Sequence, residues 1–192
     1  TPIVVDTPNP MEPFVSVLTN GTIGTFASQG TSSGFEVLDM SALSQGPVIV
    51  EADYGFMTVY DTAGNPRNID IDFYDKYILN DRLAGKVGNT FYGTDDSEYV
   101  VVGNGGDNFL RAGNQGSGSM APETDIVDYS KVTGSGITVN LGNSASNEVN
   151  VYYTDLRRFD TISGFEGVVG SDGNDYINGS NVGNYLNGGD GN

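Results

Sequence analysis

The stretch from Thr161 to Asn192 reads TISGFEGVV, GSDGNDYIN, GSNVGNYLN and GGDGN when it is cut every nine residues, the last block being incomplete. Three of the four blocks begin with glycine, at Gly170, Gly179 and Gly188. The eighth position holds Val168, Ile177 and Leu186, and the sixth holds Glu166, Asp175 and Asn184. A linker rich in Gly and Asn has no reason to place an aliphatic residue at every ninth position. Turns of Gly, Asn and Asp take positive φ without a Cβ clash. The residues after each turn are extended, and the apolar one points inward. Two blocks make one coil with a turn on each edge, so equivalent turns recur every eighteen residues. The expected fold is all-β, a coil-like stack of short strands with almost no helix.

These blocks resemble the nonapeptide G-G-x-G-x-D-x-U-x, U being a large apolar residue, of the RTX (hemolysin-type) calcium-binding repeat family. The resemblance implies a parallel β-roll or β-solenoid with Ca²⁺ held between stacked turns. Such a hard cation takes oxygen ligands, here turn carbonyls and the carboxylate at position six. It implies one half-site at Gly170, Asp172, Asn174 and Asp175, with Gly188 and Asp190 in the turn stacked on it. It sets the Thr161 turn beside the Gly179 turn. That edge has Val182 where the pattern has Gly and Asn184 where it has Asp, so weak binding or none is expected there. Asp175→Asn is expected to weaken calcium affinity sharply, and Asn184→Ala to change little.

Degenerate blocks occur earlier. Gly93–Val101 reads GTDDSEYVV and Gly103–Arg111 reads GNGGDNFLR, with Val102 as an insertion between them. A longer insertion follows Ala112, and Asp125 and Val127 restore the register. These blocks add Asp95, Glu98, Asp107 and Asp125 to the candidate ligands.

The chain carries 8 Lys and Arg against 25 Asp and Glu, a net charge of −17. That argues against nucleic acid and anionic membranes as partners, since both need basic patches. Carboxylates that repel one another are also relieved by divalent cations. There is no Cys and no His. Disulfides, thiolate zinc sites, Ser/His/Asp and Cys/His nucleophiles and the H-E-x-x-H zinc helix are therefore excluded. No stretch approaches the ~18 apolar residues of a membrane span. No basic-then-apolar leader is visible. The sequence stops inside a repeat, so it reads as part of a longer protein. The resemblance implies type I export with a C-terminal signal outside these residues.

Residues 1–13 hold four of the seven prolines, Pro2, Pro8, Pro10 and Pro13, and read as an extended arm or linker. Residues 14–34 read as an N-terminal cap or lead-in. Two related units follow, 35–111 and 112–192. Val37-Leu38-Asp39-Met40-Ser41 and Pro47 to Glu51 recur as Ile126-Val127-Asp128-Tyr129-Ser130 and Gly136 to Asn140, at an offset of 89 residues. Tyr54 to Tyr60 and Asn68 to Tyr74 read as strands around a breaker-rich turn at Thr62 to Arg67. Ile69, Ile71 and Phe73 alternate there with Asp70 and Asp72. Asp75 to Leu83 reads as a short helix or a coil corner. Arg157-Arg158 is the one adjacent basic pair, expected to partner nearby acids.

Tyr54-Gly55-Phe56 resembles the start of the Y-G-F-D-P-H motif of alginate epimerases, but Met57 follows and the Asp, Pro and His are missing. No enzymatic role is expected. The expected function is a calcium-binding structural or adhesive module of a secreted or cell-surface bacterial protein, folding on calcium outside the cell. The alternative is an accessory carbohydrate-binding or stabilising module of a polysaccharide-active exoenzyme. Tyr99, Phe109, Tyr176 and Tyr185, at the outward seventh position, are the residues for stacking on surface glycans. Calcium-driven self-association favours the first reading.

Overall fold

The computed structural model describes residues 14–17, 36–71, 74–80, 88–105, 107–113, 124–142, 148–155 and 157–191. Among these residues there are sixteen short strands, one 3₁₀ turn and no α-helix. The expected Pro-rich arm at 1–13 lies outside them. So does the expected lead-in, apart from β1 (Phe14–Val17). Then come β2 (Glu36–Asp39), β3 (Ile49–Glu51), the 3₁₀ turn Ala52–Tyr54, β4 (Phe56–Tyr60) and β5 (Pro66–Asp70). β6 (Lys76–Ile78), β7 (Thr90–Tyr92), β8 (Tyr99–Val101) and β9 (Phe109–Arg111) follow. The remaining strands are β10 (Ile126–Asp128), β11 (Ile137–Gly142), β12 (Val149–Tyr153), β13 (Arg158–Ser163), β14 (Gly167–Val169), β15 (Tyr176–Ser180) and β16 (Tyr185–Asn187).

The chain is all-β and forms two sheets. One runs β1-β2-β6-β8-β10-β14-β16, and every pair in it is parallel. The other runs β15-β11-β12-β13-β9-β7-β3-β4-β5 and is mixed. From β6 to β10, and again from β13 to β16, successive strands alternate between the sheets. The mixed character comes from two antiparallel meanders, β3-β4-β5 and β11-β12-β13. A tight turn between strands forces antiparallel pairing, whereas a parallel partner needs a longer crossover. Between β4 and β5 that turn is tied by Asp61, whose Oδ1 accepts from the amides of Ala63 and Asn65, both at 2.9 Å. Gly64 closes it at φ 80°. The pairing order β7-β3-β4-β5 recurs as β15-β11-β12-β13. The recurrent Asp plays the same part in both runs. Asp39 Oδ1 accepts from Ser41 N at 2.9 Å, and Asp128 Oδ1 from Ser130 N at 2.7 Å.

Several local expectations change. Asp75 to Leu83 is neither helix nor corner where it is described: Lys76–Ile78 is β6, and Tyr77 points into the core. Val102 is no extruded insertion, being buried with its amide donating to Asp128 O at 2.9 Å. Thr161 lies inside β13, paired with Phe109, so it opens no turn beside Gly179. Of that pair of blocks, the segments that meet are the ones ending in Glu166 and Asn184, where Tyr185 N donates to Glu166 O at 3.1 Å. Arg158 bonds the Asn104 carbonyl, not an acid. Asp72 and Phe73 lie outside the described residues.

The core is built from at least one inward residue of each strand away from the sheet edges. Leu38, Tyr77, Val100, Val127 and Val168 face Val50, Phe91, Leu110 and Ile162, and none is more than 1% exposed. Tyr77 and Phe91 meet edge-on across the core with ring centroids 4.9 Å apart. Each such side chain contributes about 1.5–3 kcal/mol by leaving water. Leu110→Ala should therefore destabilise the fold by about 2–5 kcal/mol, read as a lower midpoint in urea unfolding.

Candidate metal-binding turns

Strands of three residues leave many backbone amides at the turns without a ladder partner, and buried amides need acceptors. The sequence supplies them from the residue just before each strand. On the edge entering the parallel sheet, Glu36 N donates to Asp75 Oδ2 at 2.7 Å and Glu98 N to Asp125 Oδ1 at 2.8 Å. Asp125 N donates to Glu166 Oε2 at 3.2 Å. On the opposite edge, Val48 N donates to Asn89 Oδ1, Asn89 N to Asn108 Oδ1 and Asn108 N to Asp160 Oδ1, each at 2.8 Å. Ile137 N donates to Asp175 Oδ1 at 2.7 Å. Side-chain acceptors thus tie neighbouring strands together on both edges.

The position-six residue also closes its own turn. Asp175 accepts from Ser171 N at 2.9 Å and from Ser171 Oγ at 2.7 Å. Glu98 accepts from the amide and hydroxyl of Thr94. Asn184 does the same with an amide: Ser180 N donates to its Oδ1, and its Nδ2 donates to Ser180 Oγ, both at 2.8 Å.

The Gly170 turn and the Gly188 turn are stacked. Gly170 N donates to Asn187 O at 2.7 Å, and Asp190 N to Ser171 O at 3.2 Å. Their contact has room only for glycine. A Cβ on Gly170 would lie 2.3 Å from Gly188 O and 2.4 Å from Asp175 Oδ2. A Cβ on Gly189 would lie 2.5 Å from Ser171 O, and one on Gly191 2.3 Å from Gly173 O. Gly189 and Gly191 hold φ of 72° and 92°, in the left-handed region. The other side of the Gly170 turn meets residues 132–136, where Gly134 N donates to Asp172 Oδ1 at 3.0 Å. Asp172 therefore faces away from the Gly188 turn.

The ten candidate ligands divide between the two edges. Gly170, Asn174, Asp175, Gly188 and Asp190 belong to the stacked pair of turns, and Asp172 to its far side. Asp107 lies on the same edge in an earlier turn, exposed, with its carbonyl against Gly88. Asp95 is exposed on the other edge, in the turn that ends at Glu98. Glu98 and Asp125 are buried neighbours there. Among the described residues no three acidic side chains converge in a metal-holding group. Oxygen donors for an ion must come largely from backbone carbonyls. In the contact between the Gly170 and Gly188 turns, Gly188 O and Asp175 Oδ2 both lie beside Gly170, where a side chain would not fit.

Sequence reasoning missed Asn89, Asn108 and Asp160. Their signal was an Asn or Asp directly before an apolar-centred triplet. Asp160 is fully buried in β13 and accepts from Asn108 N, from Asn108 Nδ2 at 3.1 Å and from Tyr153 Oη at 2.9 Å. Burial pushes its carboxyl up to about 7, partly offset by those donors. Burial likewise pushes Glu98 up to about 8, against the pull of Thr94 and with a further push from Asp125. Glu98 Oε2 is buried without a hydrogen-bond partner.

Compared with known proteins, the chain matches no family model and no curated protein sequence.

An acid whose value is raised by folding holds its proton more tightly in the folded state. For Asp160 that stabilisation is fully present below 3.8 and is lost as the pH rises through about 7. Thermal unfolding in chelator should therefore show a midpoint that drops across this window. Asp160→Asn should flatten part of the drop.

Proposed function

We propose that this chain is a calcium-binding structural module of a secreted or cell-surface protein, and that calcium drives its folding outside the cell. The reading rests on one observation above all. The Gly170 and Gly188 turns pack so closely that only glycine fits between them, and Gly188 O and Asp175 Oδ2 converge on the same space. Oxygen-only donors suit a hard divalent cation. The ion would be held by Gly170, Asp175, Gly188 and neighbouring carbonyls, and would neutralise carboxylates in a chain of net charge −17. It would also fix glycine turns that are costly to order. On this reading the module is not a catalyst. Among the described residues no helix is long and apolar enough to cross a membrane. Extracellular calcium modules bind at roughly 10⁻⁴–10⁻³ M, far above free calcium inside cells, so the chain would fold only after export.

The test is circular dichroism and thermal unfolding in chelator and in millimolar calcium. Calcium at a hundred times its dissociation constant should add about 2.7 kcal/mol of stability. Equal stability in both buffers rules the proposal out. By calorimetric titration, Asp175→Asn should weaken calcium binding. Asn184→Ala should keep calcium binding while loosening its own turn, because its side-chain bonds go to Ser180 and Gly183 of that turn.

A second reading, an accessory module that binds carbohydrate, draws on the outer face of the mixed sheet. Phe159, Tyr152, Thr138 and Tyr176 share one register row there, and the three aromatic residues are exposed.

A further inference from the structure

The outer face of the mixed sheet also carries a cleft that calcium binding does not use. Glu51, Tyr92 and Arg111 are register partners on β3, β7 and β9. They stand in a row across three strands, about 4.8 Å apart in backbone spacing. The 3₁₀ turn after β3 rises beside this row. Its end is fixed by Gly55, at φ 68°, whose amide donates to Ala52 O at 2.9 Å and whose carbonyl accepts from Ile71 N at 2.9 Å. Tyr54 is thereby held out at 77% exposure, its ring centroid 6.3 Å from that of Phe56. Tyr92 is steadied by Phe109, with centroids 6.1 Å apart.

Between these groups lies a cleft of about 310 Å³, walled by Glu51, Asp53, Tyr54, Tyr92 and Arg111. Its floor is bare backbone at Gly93 and Gly113. A Cβ on Gly113 would lie 1.2 Å from Thr94 O, and one on Gly93 2.7 Å from Glu98 Oε2. A side chain at either glycine would run into the turn at residues 94–98, so this backbone stays bare.

The lining selects a class of ligand. Two carboxylates accept hydrogen bonds, and the guanidinium donates them in a planar fork. Among the described residues the only ion pair joins Arg67 to Asp61, so these three charges are not spent on one another. The tyrosine rings offer electron-rich faces. An anion would meet two carboxylates, and a cation would meet Arg111. An apolar ligand would strip water from three charges without replacing its hydrogen bonds. A neutral sugar satisfies all of them. Its hydroxyls both donate and accept, and one face of the ring presents polarised C–H bonds to an aromatic ring. The volume lies at the small end of ligand pockets, about 300–1,000 Å³.

We propose that this cleft binds one unit of a neutral saccharide, once per chain. The matching place in the second run of strands does not repeat it. Asn140 and Asn178 stand where Glu51 and Tyr92 stand, and they bond each other at 3.1 Å. The proposal goes beyond the calcium reading and does not depend on it.

The test is affinity electrophoresis of the full chain through gels containing laminarin, galactomannan, xyloglucan or dextran, with alginate and polylysine as charged controls. It is run in millimolar calcium, with circular dichroism confirming that each variant is folded. Titration with an oligosaccharide of the retarding polymer gives the stoichiometry. At least one neutral polymer should retard the protein, with one site per chain. Tyr92→Ala and Glu51→Gln should each weaken binding about tenfold or more. Tyr54→Ala should weaken it too, and this side chain is too exposed for its loss to unfold the core. Val182→Ala, at an exposed residue outside the cleft lining, should leave binding unchanged. Retardation by none of the four neutral polymers overturns the proposal, as does retardation by alginate or polylysine alone. Binding that survives Tyr92→Ala and Tyr54→Ala but is lost in Tyr152→Ala overturns it as well.

Discussion

The fold depends on side chains that do the work of backbone. A triplet strand offers too few ladder bonds to hold a coil in register by itself, and every crossing from one sheet to the other leaves amides facing the next turn. Asn89, Asn108 and Asp160 accept those amides on one edge, and Asp75, Asp125 and Glu166 on the other. The acceptor sits two residues before an inward apolar residue, so its position relative to that residue is fixed. Shifting a coil by one residue would turn that apolar residue outward and remove the acceptor at the same time. Register is therefore held by two conditions that fail together.

This arrangement carries an electrostatic cost. Carboxylates used as acceptors end up stacked and buried, as Glu98, Asp125 and Glu166 do on one edge. Amides would accept the same bonds without charge, and the opposite edge uses them at Asn89 and Asn108. The two edges thus differ in how far protonation or a cation can change their stability. The raised values of Glu98, about 8, and Asp160, about 7, place that sensitivity between the ordinary carboxylate range and mildly alkaline pH.

Much of the core was legible because its period is strict. Val100, Leu110 and Val168 occupy the eighth position of their blocks, and all three are buried. Leu186 occupies the same position and is 46% exposed, because β16 is the edge strand of its sheet. The pairing directions in the mixed sheet were not legible. The alternation at Ile69 and Ile71 reports a half-buried strand but not which neighbour it pairs with, and here the short turn at Asp61 decides the direction. β6 was missed because Tyr77 and Ile78 form too short an apolar piece to show a period. The ladder residues were missed for another reason. Asn and Asp before a strand look like ordinary turn formers, and their long-range acceptor role appears only when the coils are stacked. At the candidate site the stacking of the Gly170 turn on the Gly188 turn followed from the period. The approach of Gly134 to Asp172 did not, since it comes from a turn outside the nonapeptide blocks.

Asp175 carries two contacts that other positions divide between two amides. Asp175 closes its turn onto Ser171 and caps the amide of Ile137. Neither duty alone needs a carboxylate. Asn184 closes an equivalent turn onto Ser180 with an amide, and Asn89 caps the amide of Val48 with another. Asp175 performs both at once, Oδ2 accepting from Ser171 N and Oδ1 from Ile137 N, so the two duties together occupy both carboxylate oxygens, and an amide would set a donor against one of these N–H groups. The carboxylate stands where Gly188 O and Asp175 Oδ2 share a space emptied of side chains. The Asn184 turn also opens on glycine, Gly179, but has Val182 where the Gly170 turn has Gly173. Of the two turns, only the Gly170 turn sets a carboxylate and the carbonyl of a stacked turn, Gly188 O, beside the same glycine, and that pairing of oxygens is what a cation would require.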